Sequence, residues 1–252
     1  MWLLGTARAN LVFFPRPEDV PDGYAILSHT WLSEEQEDTF KKPPRPSLPS
    51  SPPWFNPRDR LSSKVRVFLE HAENADYKYA WVDTCCIDKT SSAELTEAIN
   101  SMFRYYALSG VCMVYLCDVS TQALANVFRR SLWHHRGWTL QELLASRVIV
   151  FFSSEWTPLG TKYELADVLS NVTGIPVGVL RFETPITDVS IAARLSWASK
   201  RSTTRPEDKA YCLFGIFGVN MPTLYGEGDN AFYRLLEELM KTSRDASHFL
   251  SG

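Results

Sequence analysis

The sequence lacks any hydrophobic run long enough to cross a membrane, and it has no basic leader at its start. In the opening MWLLGTARANLVFF, Arg8 and Asn10 interrupt the apolar run well short of the ~20 residues that a spanning helix needs. The chain also lacks an excess of positive charge, with 26 Lys and Arg against 29 Asp and Glu. We therefore expect a cytoplasmic protein without a membrane partner, and nucleic acid is disfavoured as a partner.

Cysteine is scarce, and five residues are an odd number, so complete pairing into disulfides is excluded and reduced thiols are expected. The adjacent pairs Cys85-Cys86 and His134-His135 lack the spacing of roughly two to four residues by which zinc ligands converge. Neighbours on an extended chain point in opposite directions, so we expect one cysteine buried, one exposed, and both histidines in solvent. We expect no metal, and a Cys/His nucleophile is the less favoured alternative.

Four apolar runs are rich in Val, Ile and aromatic residues and do not alternate with polar ones. They are YAILS at 24–28, YAWVD at 79–83, VCMVYLC at 111–117 and VIVFF at 148–152. Such runs are typical of strands buried on both faces, as in a parallel sheet covered by helices. Helical patterns fill the gaps, over 61–74, 93–108 and 138–145. The order predicts an α/β fold, and Ser91 with Glu94 predicts a capping box.

The character of the sequence changes along the chain. We expect residues 1–165 to form the α/β core and residues 166–252 to form a mainly helical extension packed on it. The helical stretches of that extension are 191–200, 207–217 and 231–242. Residues 41–60 hold seven of the fifteen prolines and predict a loop insertion, with a polyproline ligand as the less favoured interpretation.

Polar residues follow the first two predicted strands. Ser28, His29 and Trp31 end the first, and Asp83 ends the second. Ligands of open α/β sheets bind beyond the carboxyl ends of the strands, so these side chains and segment 136–142 are candidates for one site. Asp83 alone has a simpler interpretation, as a helix cap or turn residue.

Glu142 is a carboxylate among apolar neighbours in RGWTLQELLAS, which begins at Arg136. Trp138 lies four residues before it, so a helix places the indole and the carboxylate on one face. A carboxylate in such surroundings is partly desolvated, which is common at functional sites. The alternative is a salt bridge with Arg136 or Arg147.

A further pattern, GxGxxA from Gly226 to Ala231, has the letters of a dinucleotide-binding loop. Its context differs, because Pro222 precedes it and no second strand follows the helix. We interpret it as a flexible entry to the last helix.

Several longer motifs are specific together. They are YAILSHTW at 24–31, YAWVDTCCIDK at 79–89, AELTEAINSMFRYY at 93–106, RGWTLQELLA at 136–145, RLSWASKRSTTRPEDKAYCLFGIF at 194–217 and MPTLYGEGDNAFYRLLEE at 221–238. In this order they closely resemble the fungal HET (heterokaryon incompatibility) domains. The proline-rich insertion departs from the family's shorter connection but touches no motif.

HET domains look like distant relatives of TIR domains, so the resemblance implies a TIR/flavodoxin-like parallel sheet. Plant TIR enzymes carry W-C-L-x-E-L, whose glutamate is needed to cleave NAD. Trp138 and Glu142 keep that spacing, with Thr139 in place of the cysteine. The resemblance thus implies Glu142 as the catalytic residue, with an ionised carboxylate that steadies charge on the ribose.

The remaining candidates are implied as substrate-binding residues at the corresponding strand-end loops. They are Trp138, Ser28, His29, Trp31, Asp83 and Arg136. The implied function is a cell-death-inducing NAD glycohydrolase that is activated by self-association, with NAD as substrate and no cofactor. The expected partners are a second copy of the chain and a receptor-like or incompatibility protein. The alternative is a non-enzymatic homotypic signalling or scaffold module.

Overall fold

The computed structural model describes residues 1–31, 37–41, 56–122 and 125–242. Most of the proline-rich stretch 41–60 lies outside these ranges. Its last residues are described, and Pro57–Arg60 forms a 3-10 helix.

Seven strands form one mixed sheet. They are β1 (Trp2–Gly5), β2 (Leu11–Phe13), β3 (Ala25–His29), β4 (Tyr79–Trp81), β5 (Val111–Tyr115), β6 (Ile149–Phe152) and β7 (Pro158–Thr161). The strand order is β2-β1-β4-β3-β5-β6-β7. The central pairs β4-β3, β3-β5 and β5-β6 are parallel, whereas β1-β2, β1-β4 and β6-β7 are antiparallel. The four predicted strands and the α/β class are confirmed.

The antiparallel strands were not predicted from the sequence. In the β1-β2 hairpin, Leu3, Leu4 and Leu11 are fully buried, and the chain reverses through Ala9 in a left-handed conformation (φ 55°). The two polar residues that ended the apolar run in the sequence therefore mark a turn within a hairpin. Strand β7 begins at a proline and is only partly buried, so neither periodicity nor composition signals it.

The order of the parallel strands fixes where a ligand can bind. Across the sheet the four parallel strands lie in the order β4-β3-β5-β6. Numbered by their order along the chain, this is second, first, third, fourth, which is the flavodoxin-like arrangement. Connections leave in opposite directions from β3 and β5, which opens a crevice beyond their carboxyl ends. Ser28 and His29 are the last two residues of β3, so the chain places them at that crevice.

Helices flank this sheet. They are α1 (Ser63–Asn74), α2 (Asp83–Cys86), α3 (Ser92–Leu108), α4 (Ala125–Phe128), α5 (Thr139–Ala145), α6 (Ala166–Thr173), α7 (Val177–Leu180), α8 (Ile191–Ala198), α9 (Asp208–Tyr211), α10 (Phe214–Phe217) and α11 (Asn230–Thr242). The predicted helices over 61–74, 93–108 and 138–145 correspond to α1, α3 and α5. Ser91 caps α3 by accepting from the Glu94 N–H, but the Glu94 carboxylate accepts from the Asp88 N–H, so the box is only half formed.

Beyond β7 the described chain is mainly helical, as the sequence predicts. The α10 helix contacts α3 and α5, which links this part to the sheet. In the GxGxxA stretch, the backbone N–H groups of Gly226 and Gly228 donate to the Glu207 carboxylate at 2.8 and 3.0 Å. These groups already hold an anionic partner from the chain itself, which agrees with a structural role. Within the described ranges, no helix is long and apolar enough to span a membrane.

Candidate functional site

A small cavity lies beyond the carboxyl ends of β3 and β4 and is called the strand-end pocket here. It is lined by His29, Trp31, Asp83, Met102, Tyr106, Arg136, Trp138 and Glu142. Ser28 lies beside it and donates a hydrogen bond to Glu142. The fold therefore brings together all seven residues singled out from the sequence. The cavity volume is about 40 Å³, which is room for about three water molecules.

Glu142 forms the dry wall of this pocket. It is only 6% exposed, and its carboxyl accepts from Ser28, whose hydroxyl in turn accepts from Trp133 Nε1 at 2.8 Å. Burial raises the pKa of Glu142 to about 8, and the hydrogen bond from Ser28 and the charge of Arg136 offset it only in part. At pH 7 the carboxyl is therefore mainly protonated, which differs from the ionised group expected from the sequence.

The salt bridge considered for Glu142 is not formed in the described part of the chain. Arg136 instead stacks on the Trp31 ring, with its guanidinium carbon 4.8 Å from the ring centroid. Arg147 faces the Phe182 ring at 5.6 Å. The buried carboxyl thus has hydroxyl donors but no paired cation, which is the arrangement that keeps a proton on it.

Asp83 forms the opposite, charged wall. His29 Nε2 lies 2.9 Å from Oδ1, and Trp31 Nε1 donates to Oδ2 at 2.7 Å. Burial raises the pKa of Asp83, but the hydrogen bond from His29, the charge of Lys89 and the hydrogen bond from Trp31 together lower it well below its usual range. The residue begins α2, yet its carboxylate bonds side chains of the pocket. The helix-cap interpretation therefore does not account for it.

Trp31 is the most exposed residue in the lining of the pocket, at 39%. Lys89 Nζ lies over its ring, 3.8 Å from the centroid, and the Arg136 guanidinium also lies over the ring. Cations over an indole face are attracted to it. With its N–H on Asp83, the indole has partners both at its edge and over its ring.

Lys64, which contacts the pocket residue His29, was not predicted from the sequence to belong to the site. It lies in the first turn of α1, is 5% exposed, and its ammonium bonds both Glu37 carboxylate oxygens, at 2.6 and 2.8 Å, and His29 Nδ1, at 2.9 Å. The signal was present, because Lys64 occupies the same helical stripe as the buried Phe68 and Ala72, four and eight residues further on. A lysine in an apolar stripe calls for a buried partner.

Residues 201–203, which follow α8, contact residues 136–139 at the start of the helix that carries Glu142. The half-buried Arg201 donates to the Arg136 carbonyl at 2.9 Å and to Thr139 Oγ1 at 2.8 Å. Gly137 N–H donates to the Ser202 carbonyl at 2.8 Å, and a Cβ on Gly137 would lie 2.5 Å from the Thr203 methyl. Only glycine allows this approach, so residues remote in sequence fix the start of α5.

A larger cavity, about 260 Å³, lies elsewhere, between the β1-β2 hairpin and α3. Its walls include Trp2, Glu94 and Glu97, and the Met1 amino group lies near the two carboxylates. It contains none of the residues singled out above. We place the candidate site in the smaller cavity, because among the described residues it combines a buried carboxyl without a paired cation and an ionised one.

Two expectations about adjacent pairs were wrong. Cys85 and Cys86 are both buried, because they lie in the short helix α2 and not in an extended segment. Burial raises the pKa of Cys86 to about 12, which opposes a thiolate nucleophile. His134 is also buried; desolvation lowers its pKa to about 4, and its ring bonds the Phe128 carbonyl at 3.0 Å. His135 is exposed, as expected.

Comparison with known proteins gives a family for this arrangement. Residues 24–131 match the family described as Heterokaryon incompatibility protein (HET). The chain is also 43% identical over 237 residues to "Vegetative incompatibility protein HET-E-1" of Podospora anserina, an alignment that covers 89% of this chain and 17% of that protein. The chain carries a HET domain. No solved structure gives a significant match.

The candidate residues lie differently relative to the region that matches the HET family. Ser28, His29, Trp31 and Asp83 fall inside the matched region 24–131. Glu142 follows that region, but it lies so far from either end that an alignment over 89% of the chain includes it. The chain spans about a sixth of the length of the Podospora relative (17%), so that relative contains much sequence outside this similarity.

Proposed function

We propose that this HET domain is an assembly-dependent NAD glycohydrolase that cleaves the nicotinamide–ribose bond and so acts in the cell death of heterokaryon incompatibility. One observation carries the proposal: the buried Glu142 carboxyl, which has no paired cation, and the ionised Asp83 line one pocket at the carboxyl ends of parallel strands. Environments that push two carboxyl groups apart in pKa are typical of sites that divide two roles between them.

The chemistry follows from charge. The nicotinamide ring of NAD is a pyridinium cation, and its approach lowers the pKa of Glu142, so the carboxyl releases its proton to solvent on binding. It takes a proton up again when the products have left, so the net proton released comes from water. The carboxylate then favours the oxocarbenium-like transition state as the C1′–N bond breaks and its electron pair leaves with neutral nicotinamide. Water adds to C1′ and loses its proton to solvent. The products are nicotinamide, ADP-ribose and one proton.

The other residues fit binding roles. Asp83 Oδ2 is the acceptor that a ribose hydroxyl would take over from the Trp31 indole. Trp138 lies on the same wall as Glu142 and offers an aromatic face to the nicotinamide. Arg136 would pair with the pyrophosphate. The spacing from Trp138 to Glu142, shared with the TIR enzymes, supports the same assignment.

The proposal includes self-association because the pocket is too small to hold a nucleotide. Sites for drug-sized ligands have volumes of roughly 300–1,000 Å³, against about 40 Å³ here. A nucleotide can enter only if part of the lining moves, and Trp31 is the most exposed residue of that lining. We propose that self-association displaces it, under the control of a receptor-like or incompatibility partner. NAD is the substrate, and no further cofactor takes part.

The test is to fuse the chain to a tetrameric coiled coil, incubate it with NAD and analyse the products by mass spectrometry. The wild type should release nicotinamide, and Glu142→Ala should be about 100-fold slower or more. Glu97→Ala, which removes an exposed carboxylate of α3, is the matched control and should keep full activity. No nicotinamide from clustered wild type, or equal activity of Glu142→Ala, would sink the proposal.

The small pocket also favours a second candidate, a non-enzymatic homotypic scaffold that recruits an executioner. In that case no NAD is consumed at any protein concentration, and Glu142→Ala still causes death in cells as long as it assembles. Scoring death and NAD together for the same variant separates the two candidates.

A further inference from the structure

The hydrogen-bond chain behind the pocket determines where the proton of His29 lies. Lys64 is an ammonium with three N–H donors and no acceptor. Two of its contacts are with the Glu37 carboxylate and the third is with His29 Nδ1. Since Lys64 can only donate there, Nδ1 accepts, and the ring proton is on Nε2.

The opposite tautomer conflicts with both neighbours. A proton on Nδ1 would place an N–H against the Lys64 ammonium at 2.9 Å. The bare Nε2 lone pair would then face the Asp83 carboxylate oxygen, also at 2.9 Å. With the proton on Nε2, each contact is a hydrogen bond of the correct polarity, and a doubly protonated ring still conflicts with Lys64.

We propose that Lys64 is a positioning residue that fixes His29 in the Nε2-protonated form, so that His29 holds the Asp83 carboxylate turned into the strand-end pocket. The chain of contacts crosses three elements, because Lys64 belongs to α1, His29 ends β3 and Asp83 begins α2. Oδ1 of Asp83 is occupied by His29, which leaves Oδ2 as the oxygen presented to Trp31 or to a ligand. The tautomer is independent of the proposed reaction, whereas any effect on turnover rests on the proposed function.

A purely structural role for the buried Lys64–Glu37 pair is the rival explanation, and it says nothing about the proton of His29. The two are separated by a matched pair of variants. Glu37→Gln/Lys64→Gln keeps one N–H donor for His29, whereas Glu37→Gln/Lys64→Met has none at residue 64. Neither variant leaves an unpaired charge of this pair in the interior.

The readout is the ¹⁵N spectrum of the histidine rings, which distinguishes protonated from unprotonated ring nitrogens. His29 is one of five histidines, and its signals are identified by their loss in His29→Gln. The wild type and the Lys64→Gln double variant should both show an unprotonated Nδ1 and a protonated Nε2. In the Lys64→Met double variant, the Nδ1 signal should move towards the protonated range.

The wild-type spectrum tests the assignment even where a variant fails to fold, because a proton on Nδ1 would overturn the proposal. An identical His29 pattern in the two double variants, both folded by circular dichroism, would also overturn it. In the clustered form, the Lys64→Met double variant should lose about 10-fold to 100-fold in kcat/KM, since a misplacement of about 1 Å at a reacting group has costs of this order. If clustered wild type consumes no NAD, the proposed function fails while the spectrum still decides the tautomer.

Discussion

Two carboxyl groups line the strand-end pocket, and they differ in the donors and charges around them that set their pKa values. The Asp83 wall, made of His29, Trp31, Lys64 and Asp83, supplies two N–H donors and a nearby cation. The Glu142 wall, made of Ser28, Trp133 and Glu142, supplies hydroxyl and indole groups without a paired cation. Glu142 is buried and Asp83 is largely shielded from water, yet Asp83 is ionised and Glu142 keeps its proton.

The difference teaches that burial alone does not decide ionisation. Desolvation raises the pKa of both groups, and the number and charge of the donors decide whether that effect is overcome. The Trp133 indole N–H donates to the Ser28 hydroxyl and not to Glu142. It therefore acts on Glu142 only through Ser28, which accepts from Trp133 and donates to Glu142. In the Glu142 wall the ionised form of the carboxyl is therefore unfavourable, and a stability measurement can reveal this.

The largest effect is expected for the stability of Glu142→Gln. The folded-state pKa of about 8 lies above the ordinary 4.5, so the folded protein holds a proton that the unfolded chain releases between these values. The wild type therefore loses stability as pH rises from about 4.5 to 8, by at most about 1.4 kcal/mol for each pH unit. Relative to it, Glu142→Gln should gain by that amount, measured as urea unfolding free energy at several pH values.

Glu237→Gln is the control for this measurement. It makes the same chemical change on an exposed part of α11, and its difference from wild type should stay flat across the range. A flat difference for Glu142→Gln as well would mean that Glu142 is ionised throughout, and the contrast between the walls would disappear.

The next effect is the pH dependence of turnover in the clustered form. If the ionised Glu142 is required, kcat/KM should rise about tenfold per pH unit below a midpoint near the pKa of about 8 and level off above it. Between about pH 6 and pH 8 the gain is about 50-fold, because half of the groups are ionised at the midpoint. Initial rates of nicotinamide release, corrected with an enzyme-free blank at each pH, give this profile. A profile that is flat or falls over the range would contradict a Glu142 carboxyl that is protonated in the free protein and must ionise for the reaction.

The sequence predicts the Asp83 wall and the sheet behind it better than the Glu142 wall. Continuous apolar runs locate β3 and β4, and the rule for parallel sheets places Ser28, His29 and Asp83 at one edge. The hairpin β1-β2 and strand β7 were not predicted, because short edge strands are specified by tertiary pairing more than by local pattern. Local pattern also says nothing about Arg201, whose partners are more than sixty residues away.

Protonation states could not be predicted for a different reason. The sequence places Glu142 near Trp138, but whether a cation reaches it depends on where Arg136 turns, and Arg136 turns to Trp31. Likewise, the tautomer of His29 depends on Lys64, a residue of another element. Proximity of residue types is visible in a sequence, whereas the direction of each donor is settled only when all the elements have packed.

The smallest effect is expected for Asp83→Asn, which connects the two walls. An amide keeps one acceptor oxygen, so one of the two N–H donors loses its partner and a ribose hydroxyl loses a charged acceptor. We expect KM for NAD to rise about 10-fold in the clustered form, the size expected for one hydrogen bond to a charged group. Asp167→Asn, an exposed change in α6, should leave KM unaltered.

The charge of Asp83 also raises the pKa of Glu142, so its removal in Asp83→Asn should shift the midpoint of the kcat/KM profile to lower pH. A midpoint that stays fixed, or moves to higher pH, would mean that the two carboxyl groups do not share one pocket.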